Sequence, residues 1–207
     1  MTATSAVLPI SPRSRRSART RQAILDAALR IVTTSGAGAL SMRAIAEAID
    51  YSPAGLYEYF GGKDEILRGL CEDGFDRLAA SLGRVDGRLP VDERVQALGL
   101  AYLDFAWTHP EHYRLIFGSG LFGAINPGEE PHGTYRVLRE AVQDGIDSGA
   151  FIVRPGFGME AMSYACWALL HGLVMLRLGM MVGYDAAALN MADREAIRSF
   201  VRGLGSD

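Results

Sequence analysis

The stretch SMRAIAEAIDYSPAGLYEYFGGKDEIL, residues 41–67, decides the fold of this chain. Ser41 and Ser52 each stand where a hydroxyl can cap the helix that follows, and Pro53 fits a first helical turn, where its missing N–H costs nothing. Between the two predicted helices, Asp50 tolerates the left-handed backbone that a tight turn requires. The stretch therefore predicts two short helices joined by a tight turn, a helix-turn-helix.

The second helix of a helix-turn-helix enters the DNA major groove, while the first crosses the sugar-phosphate backbone. We expect Leu56 and Phe60 to point into the core. The small residues at the start of the second helix can approach bases closely but cannot form bidentate hydrogen bonds. Hydroxyl groups and positive charges around them suit phosphates, which position a protein rather than specify a sequence. The predicted DNA-contacting residues are Ser41, Arg43, Tyr51, Ser52, Pro53, Ala54, Gly55, Tyr57, Tyr59 and Lys63.

The charge of the chain is unevenly distributed. Residues 1–63 hold eight basic and four acidic side chains, a net +4, whereas the remainder is at −7. A positive end on a negative body indicates that the first third meets a polyanion. Residues 1–19, rich in Ser and Arg with little to bury, are predicted to be a disordered arm. This arm either follows the DNA minor groove or adds only diffuse attraction, and we favour the second reading.

Helical periodicity governs the rest of the chain. Apolar residues recur at i, i+3, i+4 and i+7 from Thr20 onward, and long amphipathic or apolar segments follow residue 63 with no convincing strand. Residues 118–133 contain five glycines and two prolines, which predicts a flexible loop. We predict an all-α protein of about nine helices. Its parts are a three-helix helix-turn-helix domain at 20–66 and a helical ligand-binding and dimerisation domain at 67–207.

Several functional classes are disfavoured by composition. Cys71 and Cys166 are the only cysteines, and no CxxC pair is present, so we expect no disulfide framework and a reducing cytoplasm. No apolar run follows the N-terminal arginines, which argues against a signal peptide. The apolar stretch 161–182 is as long as a membrane span, but His171 and Arg177 interrupt it, so we predict a helix buried between other helices. No nucleophile triad, phosphate loop or carboxylate pair predicts catalysis, a cofactor or an enzyme.

Residues 41–67 resemble the DNA-binding signature of tetracycline-repressor-family transcription regulators. Three positions depart from that pattern: Asp50, Glu58 and Gly62 stand where the family usually has Gly, His and Ser, and Glu58 is left out of the DNA contacts for this reason. The resemblance implies an all-α homodimer, a near-palindromic double-stranded operator and a ligand cavity among the middle helices. It is carried by Ile45, Ala46, Ser52, Leu56, Tyr57, Phe60, Lys63 and Leu67.

The segments YLDFAWTHPEHYRLIFG, residues 102–118, and WALLHGL, residues 167–173, are similar to the C-terminal domain named for its Trp-His-Gly signature in one branch of that family. Their aromatic stripe fits either a hydrophobic core or a pocket wall, and periodicity leaves both open. With the resemblance, the predicted ligand pocket comprises Tyr102, Phe105, His109, Tyr113, Phe117, Trp167, His171 and Met175. The predicted dimer interface comprises Leu173, Leu176, Ile197, Phe200, Val201 and Leu204.

These patterns together predict a transcription regulator, and specifically a repressor released from DNA by a small, largely apolar effector. One alternative is a sensor of metal ions or oxidants, through His109 and His112 or through Cys71 and Cys166. We expect no metal site, because Pro110 starts a helix between the two histidines and no third ligand is near in sequence. A further alternative is a small-molecule-binding protein that keeps the helix-turn-helix only as a structural remnant.

Overall fold

The computed structural model describes residues 11–118 and 133–205. Across these residues the protein is all-α, as predicted, with nine α-helices and no strand. A 3-10 turn spans Ala37–Ala39, and a π-helical turn, Arg114–Gly118, continues α6. Residues 119–132 of the predicted flexible loop lie outside the described ranges. The helices are α1 Pro12–Ser35, α2 Met42–Ala48, α3 Pro53–Leu56, α4 Lys63–Leu82, α5 Val91–Thr108, α6 Pro110–Tyr113, α7 Thr134–Asp147, α8 Met159–Leu178 and α9 Ala186–Leu204.

Helix α1 begins earlier than the sequence predicted. Its first residue is Pro12 rather than Thr20, because the Ser11 hydroxyl accepts a hydrogen bond from the Ser14 N–H at 3.1 Å and caps the helix. Pro12 occupies the first helical position, where proline is favoured. Residues 12–19 of the predicted disordered arm are therefore helical, and residues 1–10 lie outside the described part of the chain.

The chain divides into two compact units, with the boundary between Cys71 and Glu72 inside α4. In the first unit, α1, α2 and α3 pack together and bury one face each. The Arg21 guanidinium lies 4.4 Å from the centre of the Phe60 ring, so this cation covers the edge of the core. The buried apolar residues of this unit are Ile24, Leu25, Ala27, Ala28, Leu40, Ile45, Ala46, Leu56, Phe60, Ile66, Leu67, Leu70 and Cys71.

The second unit is built on α5, which packs against α7, α8 and α9. Close packing leaves no room for a Cβ atom at Gly145 of α7, where it would lie 2.2 Å from the buried Phe151 ring. Arg177 of α8 contacts both α5 and α9. Its guanidinium lies 4.3 Å from the Trp107 ring centre, and its Nη1 donates to Asp193 Oδ2 at 2.5 Å.

Helix α8 differs from the buried helix that was predicted. It is the one helix of the described residues that is long and apolar enough to cross a membrane, yet only 28% of its most apolar stretch is buried. It ends at Leu178 rather than Val182, because Gly179 closes it, and α9 starts at Ala186 where Asp185 caps the Ala187 N–H. One face of α8 is therefore left without neighbours among the described residues.

Candidate DNA-binding surface and ligand cavity

Two serine caps and one tight turn hold the helix-turn-helix together. The Ser41 hydroxyl accepts from the Ala44 N–H at 3.1 Å, and the Ser52 hydroxyl accepts from the Gly55 N–H at 3.0 Å. Between α2 and α3, Asp50 adopts the left-handed backbone with φ +52°. These are the local features that the sequence predicted for this turn.

The side chains of the short helix separate into two sets. Leu56 and Phe60 are 0% and 1% exposed, so they fill the core, whereas Tyr57 is 57% exposed. Of the predicted DNA-contacting residues, Ser41, Arg43, Tyr51, Ser52, Pro53, Ala54 and Tyr57 are exposed, and Gly55, Tyr59 and Lys63 are partly exposed. Every member of the predicted set is therefore at least partly accessible to solvent.

The Tyr51 ring lies across the backbone of α3. A Cβ atom added at Gly55 would stand 2.7 Å from Tyr51 Cε1, and the Tyr51 and Tyr59 rings meet edge to face with their centres 6.3 Å apart. The Tyr59 hydroxyl beside it raises the pKa of Tyr51. Gly55 is therefore needed to seat Tyr51, a role the sequence reasoning missed because it depends on a contact between the turn and α3.

Glu65 closes the N-terminal end of α4. Its Oε2 accepts from the Gly61 N–H at 2.5 Å, so this carboxylate occupies a backbone donor just before the helix. Asp64 and Glu65 also place two negative charges in the first turn of α4. Together these three carboxylate features make the start of α4 less favourable for a phosphate than the Lys63 ammonium itself.

A small cavity of about 30 Å³ lies inside the second unit. None of its lining residues in the described part of the chain is charged. Of the predicted pocket residues, Tyr102, Phe117 and Trp167 line it; Leu78, Thr134, Tyr135 and Leu138 were missed. The missed residues come from α4 and α7, which flank the aromatic stripe in space but not in sequence.

A hydrogen-bonded chain runs beside the cavity. The Tyr102 and Tyr113 hydroxyls are 3.2 Å apart, and the Tyr113 hydroxyl is 2.7 Å from His171 Nδ1. Every group takes part if Tyr102 donates to Tyr113 and Tyr113 donates to His171. Burial lowers the pKa of His171, which keeps its Nδ1 available as an acceptor, and raises the pKa of Tyr102 to about 12.

The other predicted pocket residues have different surroundings. Phe105 is a core residue at 1% exposure, and His109 packs its ring on Phe105 and His112. Met175 is 42% exposed and does not line this cavity. Helical spacing grouped these residues with the cavity because it shows which residues share a helix, not which helix face meets a void.

Of the two histidines considered for a metal site, His112 is hydrogen-bonded to a carboxylate. His112 Nε2 donates to Asp73 Oδ2 at 3.0 Å, and Arg77 Nε donates to the same oxygen at 2.9 Å. Burial by itself raises the pKa of Asp73, but these two hydrogen bonds and the positive charges outweigh it and lower the pKa to about 2. Within the described residues no cluster of three or more His, Cys, Asp or Glu could hold a metal ion.

Both cysteines are buried, and burial raises the pKa of the Cys166 thiol to about 12. A thiol of this kind remains protonated and reacts slowly with oxidants, because the thiolate is the reactive form. Cys166 therefore lacks the features of a redox sensor.

The predicted interface residues divide between core and surface. Ile197, Val201 and Leu204 are at most 3% exposed within a single chain, so they belong to the core of the second unit. Their assignment to the dimer interface was therefore wrong. Their side chains turn toward α5 because the apolar face of α9 packs on it. Leu176 is 48% exposed, and Leu173 and Phe200 are partly exposed.

The helix-turn-helix and the helical unit that holds the cavity define a class of protein. It is an all-α protein with an N-terminal helix-turn-helix and a C-terminal helical unit. Two family models match: that of the bacterial regulatory proteins of the tetR family covers residues 24–70, and that of the tetracyclin repressor-like C-terminal domain covers residues 95–200. The chain belongs to the tetR family. The narrower Trp-His-Gly type stays a prediction.

Individual proteins are similar over parts of the chain. The HTH-type transcriptional regulator Rv1816 of Mycobacterium tuberculosis is 29% identical over 61% of this chain and 55% of its own length. The HTH-type nicotine-responsive transcriptional repressor HdnoR of Paenarthrobacter nicotinovorans is 32% identical over 52% of this chain and 56% of its own. The match thus spans little more than half of these relatives.

A solved structure of a protein of unknown function from Rhodococcus sp. RHA1 resembles nearly the whole chain. It is 25% identical, has a TM-score of 0.73, and the match covers 90% of this chain and 95% of that one.

Proposed function

We propose that this protein is a DNA-binding transcription repressor whose α2–α3 surface binds an operator. The observation that carries the proposal is the division of α3, in which Leu56 and Phe60 are buried while Tyr57 and the helix start face solvent. The two serine caps hold this surface rigid, which lowers the entropy lost on binding. The family membership and the repressor among the relatives support the same reading.

Each exposed residue has a chemical role in this proposal. Ser41, Ser52, Tyr57, Tyr59 and Lys63 offer hydroxyl donors and one ammonium to phosphates. Arg43 and Tyr51 are the polar candidates for base edges. Pro53, Ala54 and Gly55 offer only apolar contact, for example to thymine methyl groups.

The test is selection of genomic DNA fragments with the purified protein, followed by affinity measurements on the enriched site. We expect Tyr57→Ala and Lys63→Ala to weaken binding while the helical circular dichroism signal is kept. Lys63→Ala should also lower the slope of log affinity against log salt by about 1. Arg88→Ala, on an exposed loop of the second unit, is the matched control. Failure to enrich any DNA would reject the proposal.

We further propose a homodimer formed through the open face of α8. Tyr164, Ala168, Gly172 and Leu176 recur every four residues on this face, and a Cβ atom at Gly172 would meet nothing within 4 Å. Small residues in the middle of such a face let a second helix approach closely. Two copies would present two α3 helices to successive major grooves of a near-palindromic site, with half-site centres about 34–36 Å apart or a multiple of that.

The proposed effector is a small, uncharged and largely apolar molecule. Among the described residues the cavity lining is uncharged, and the Tyr102 hydroxyl is engaged with that of Tyr113, so a charged ligand would lose hydration without a partner. Because about 30 Å³ accommodates little more than a water molecule, side chains such as Phe117 and Trp167 must move to admit it. Leu78 of α4 lines the cavity, so an occupant would press directly on this helix.

An effector of this kind releases DNA only by the difference in its affinity for the two conformations. Among the relatives, HdnoR is named as nicotine-responsive, which supports a small organic signal. A metal or oxidant signal receives no such support from the described residues, since His112 is bonded to Asp73 and Cys166 is a buried, protonated thiol. Screening small molecules for a rise in melting temperature and loss of operator binding tests the effector; a response only to metal ions or peroxide would reject it.

A further inference from the structure

Four arginines crowd the first two turns of α1, namely Arg13, Arg15, Arg16 and Arg19. All four are exposed, and none forms an ion pair with any of the described residues. The first acidic residue after them is Asp26, which already accepts a hydrogen bond from Gln22. The beginning of α1 is therefore a concentrated and unneutralised positive surface.

The helical geometry divides this surface. At about 100° per residue, Arg13 projects about 20° and Arg16 about 80° from the direction of Ile24. Ile24 is fully buried and α1 packs on α2, so this direction is the inward side of α1 within the first unit. Arg15 and Arg19 project more than about 100° away from it.

The same side of α1 leads to the proposed DNA surface. Arg21 covers the Phe60 ring, and Phe60 is the neighbour of Tyr59 in the chain. From Arg21 back to Arg13 is eight residues, or about 12 Å along the helix axis. The Arg13–Arg16 side of α1 thus continues along the helix from the residue that covers the core next to Tyr59.

We propose that the Arg13–Arg16 side of α1 binds phosphates of the DNA that flanks each half-site. This inference rests on the proposed function. An α-helix about 10–12 Å wide cannot enter a minor groove about 6 Å wide, so the contact is with the backbone and not with groove-floor bases. The surface lengthens the operator footprint and contributes affinity without sequence preference.

The test compares two charge-matched double variants, Arg13→Gln/Arg16→Gln and Arg15→Gln/Arg19→Gln. Affinity for the selected site is measured from 50 to 300 mM salt, on DNA with and without the flanking base pairs. We expect the first pair to lower the salt slope by about 2 and affinity about tenfold at 150 mM, only on the longer DNA. The second pair should have a clearly smaller effect on both.

Two results would overturn the inference. Equal loss for both pairs would mean diffuse attraction alone, and no loss for the first pair would mean no contact. Both are read only after wild-type protein has bound the site and Lys63→Ala has weakened it, so they leave the proposed function intact. If wild-type protein binds no DNA, the proposed function fails instead. Helical circular dichroism of both variants checks that α1 persists, since glutamine is itself a good helix former.

Discussion

At the scale of single residues, Asp50, Tyr51 and Gly55 act together. Asp50 takes the left-handed turn conformation that the sequence predicted for it, and this directs Tyr51 back over α3. Only a residue without a side chain at position 55 leaves space for the Tyr51 ring. Gly55 therefore shapes the surface proposed to bind DNA by leaving room for the Tyr51 ring, although glycine has no side chain with which to contact a base.

Gly55→Ala tests this arrangement. The new methyl group would clash with the Tyr51 ring, so we expect operator affinity to fall several-fold, while stability changes by no more than about 1 kcal/mol because alanine favours the helix. Gly38→Ala, whose Cβ would meet nothing within 4 Å, is the control. Calorimetric melting and DNA affinity of both variants decide it; unchanged affinity for Gly55→Ala would show that the Tyr51 position does not matter.

Asp73 predicts a dependence of stability on pH. Its pKa of about 2 lies below the usual 3.8, so its bonds to His112 and Arg77 add stability that is present above pH 4 and lost as the pH falls from about 4 to 2. Because Asp73 keeps some solvent exposure, we expect roughly 1–2 kcal/mol rather than more.

Urea unfolding of wild type and Asp73→Asn between pH 2 and 7 measures this contribution. The stability difference between the two proteins should be largest at neutral pH and should shrink toward pH 2. A difference that does not change with pH would show that the carboxylate charge is not the source of the stability.

At the scale of helices, the sequence predicted the α-helices of the described residues and most of their positions, because apolar periodicity indicates which residues share a helix face. The ends were less certain. The start of α1 depends on the Ser11 cap within a segment whose composition favours disorder. The C-terminal end of α8 depends on Gly179, and the start of α9 depends on the Asp185 cap. Capping groups act on one residue and leave no period in the sequence.

The contact of Phe151 with Gly145 of α7 is a second local arrangement that periodicity does not reveal. Gly145→Ala would place a methyl group within the space of the Phe151 ring, and we expect a loss of about 1–3 kcal/mol of unfolding free energy. Gly203→Ala in α9 meets nothing within 4 Å and should be neutral or slightly stabilising. Equal effects of the two changes in urea unfolding would contradict this packing.

At the scale of the whole molecule, the sequence could not separate core from interface. Ile197, Val201 and Leu204 have the same apolar character as a dimer surface, but α9 turns them inward. Tyr164, Met175 and Leu176 of α8, by contrast, remain exposed. The ligand cavity was likewise only partly predicted, since Leu78 and Leu138 reach it from helices distant in sequence. Which face a helix turns to a neighbour is a property of the assembled fold.

The proposed dimer predicts that Ala168→Arg disrupts association. A charged side chain in the middle of the α8 stripe would be buried without a partner on pairing, so we expect a monomer by multi-angle light scattering at micromolar concentration. Ala80→Arg makes the same change at an exposed position of α4 and should leave the mass unchanged. A dimer that persists in Ala168→Arg would place the interface elsewhere.

The two tryptophans give this protein an optical reporter of its own. Trp107 lies under the Arg177 guanidinium and does not line the cavity, whereas Trp167 lies on the cavity wall against Phe117 and Tyr135. Because indole emission responds to its immediate surroundings, a Trp107→Phe protein should signal cavity occupation by a change in fluorescence, with no attached dye. The complementary Trp167→Phe protein should stay silent, so the pair makes effector screening possible before any operator is known.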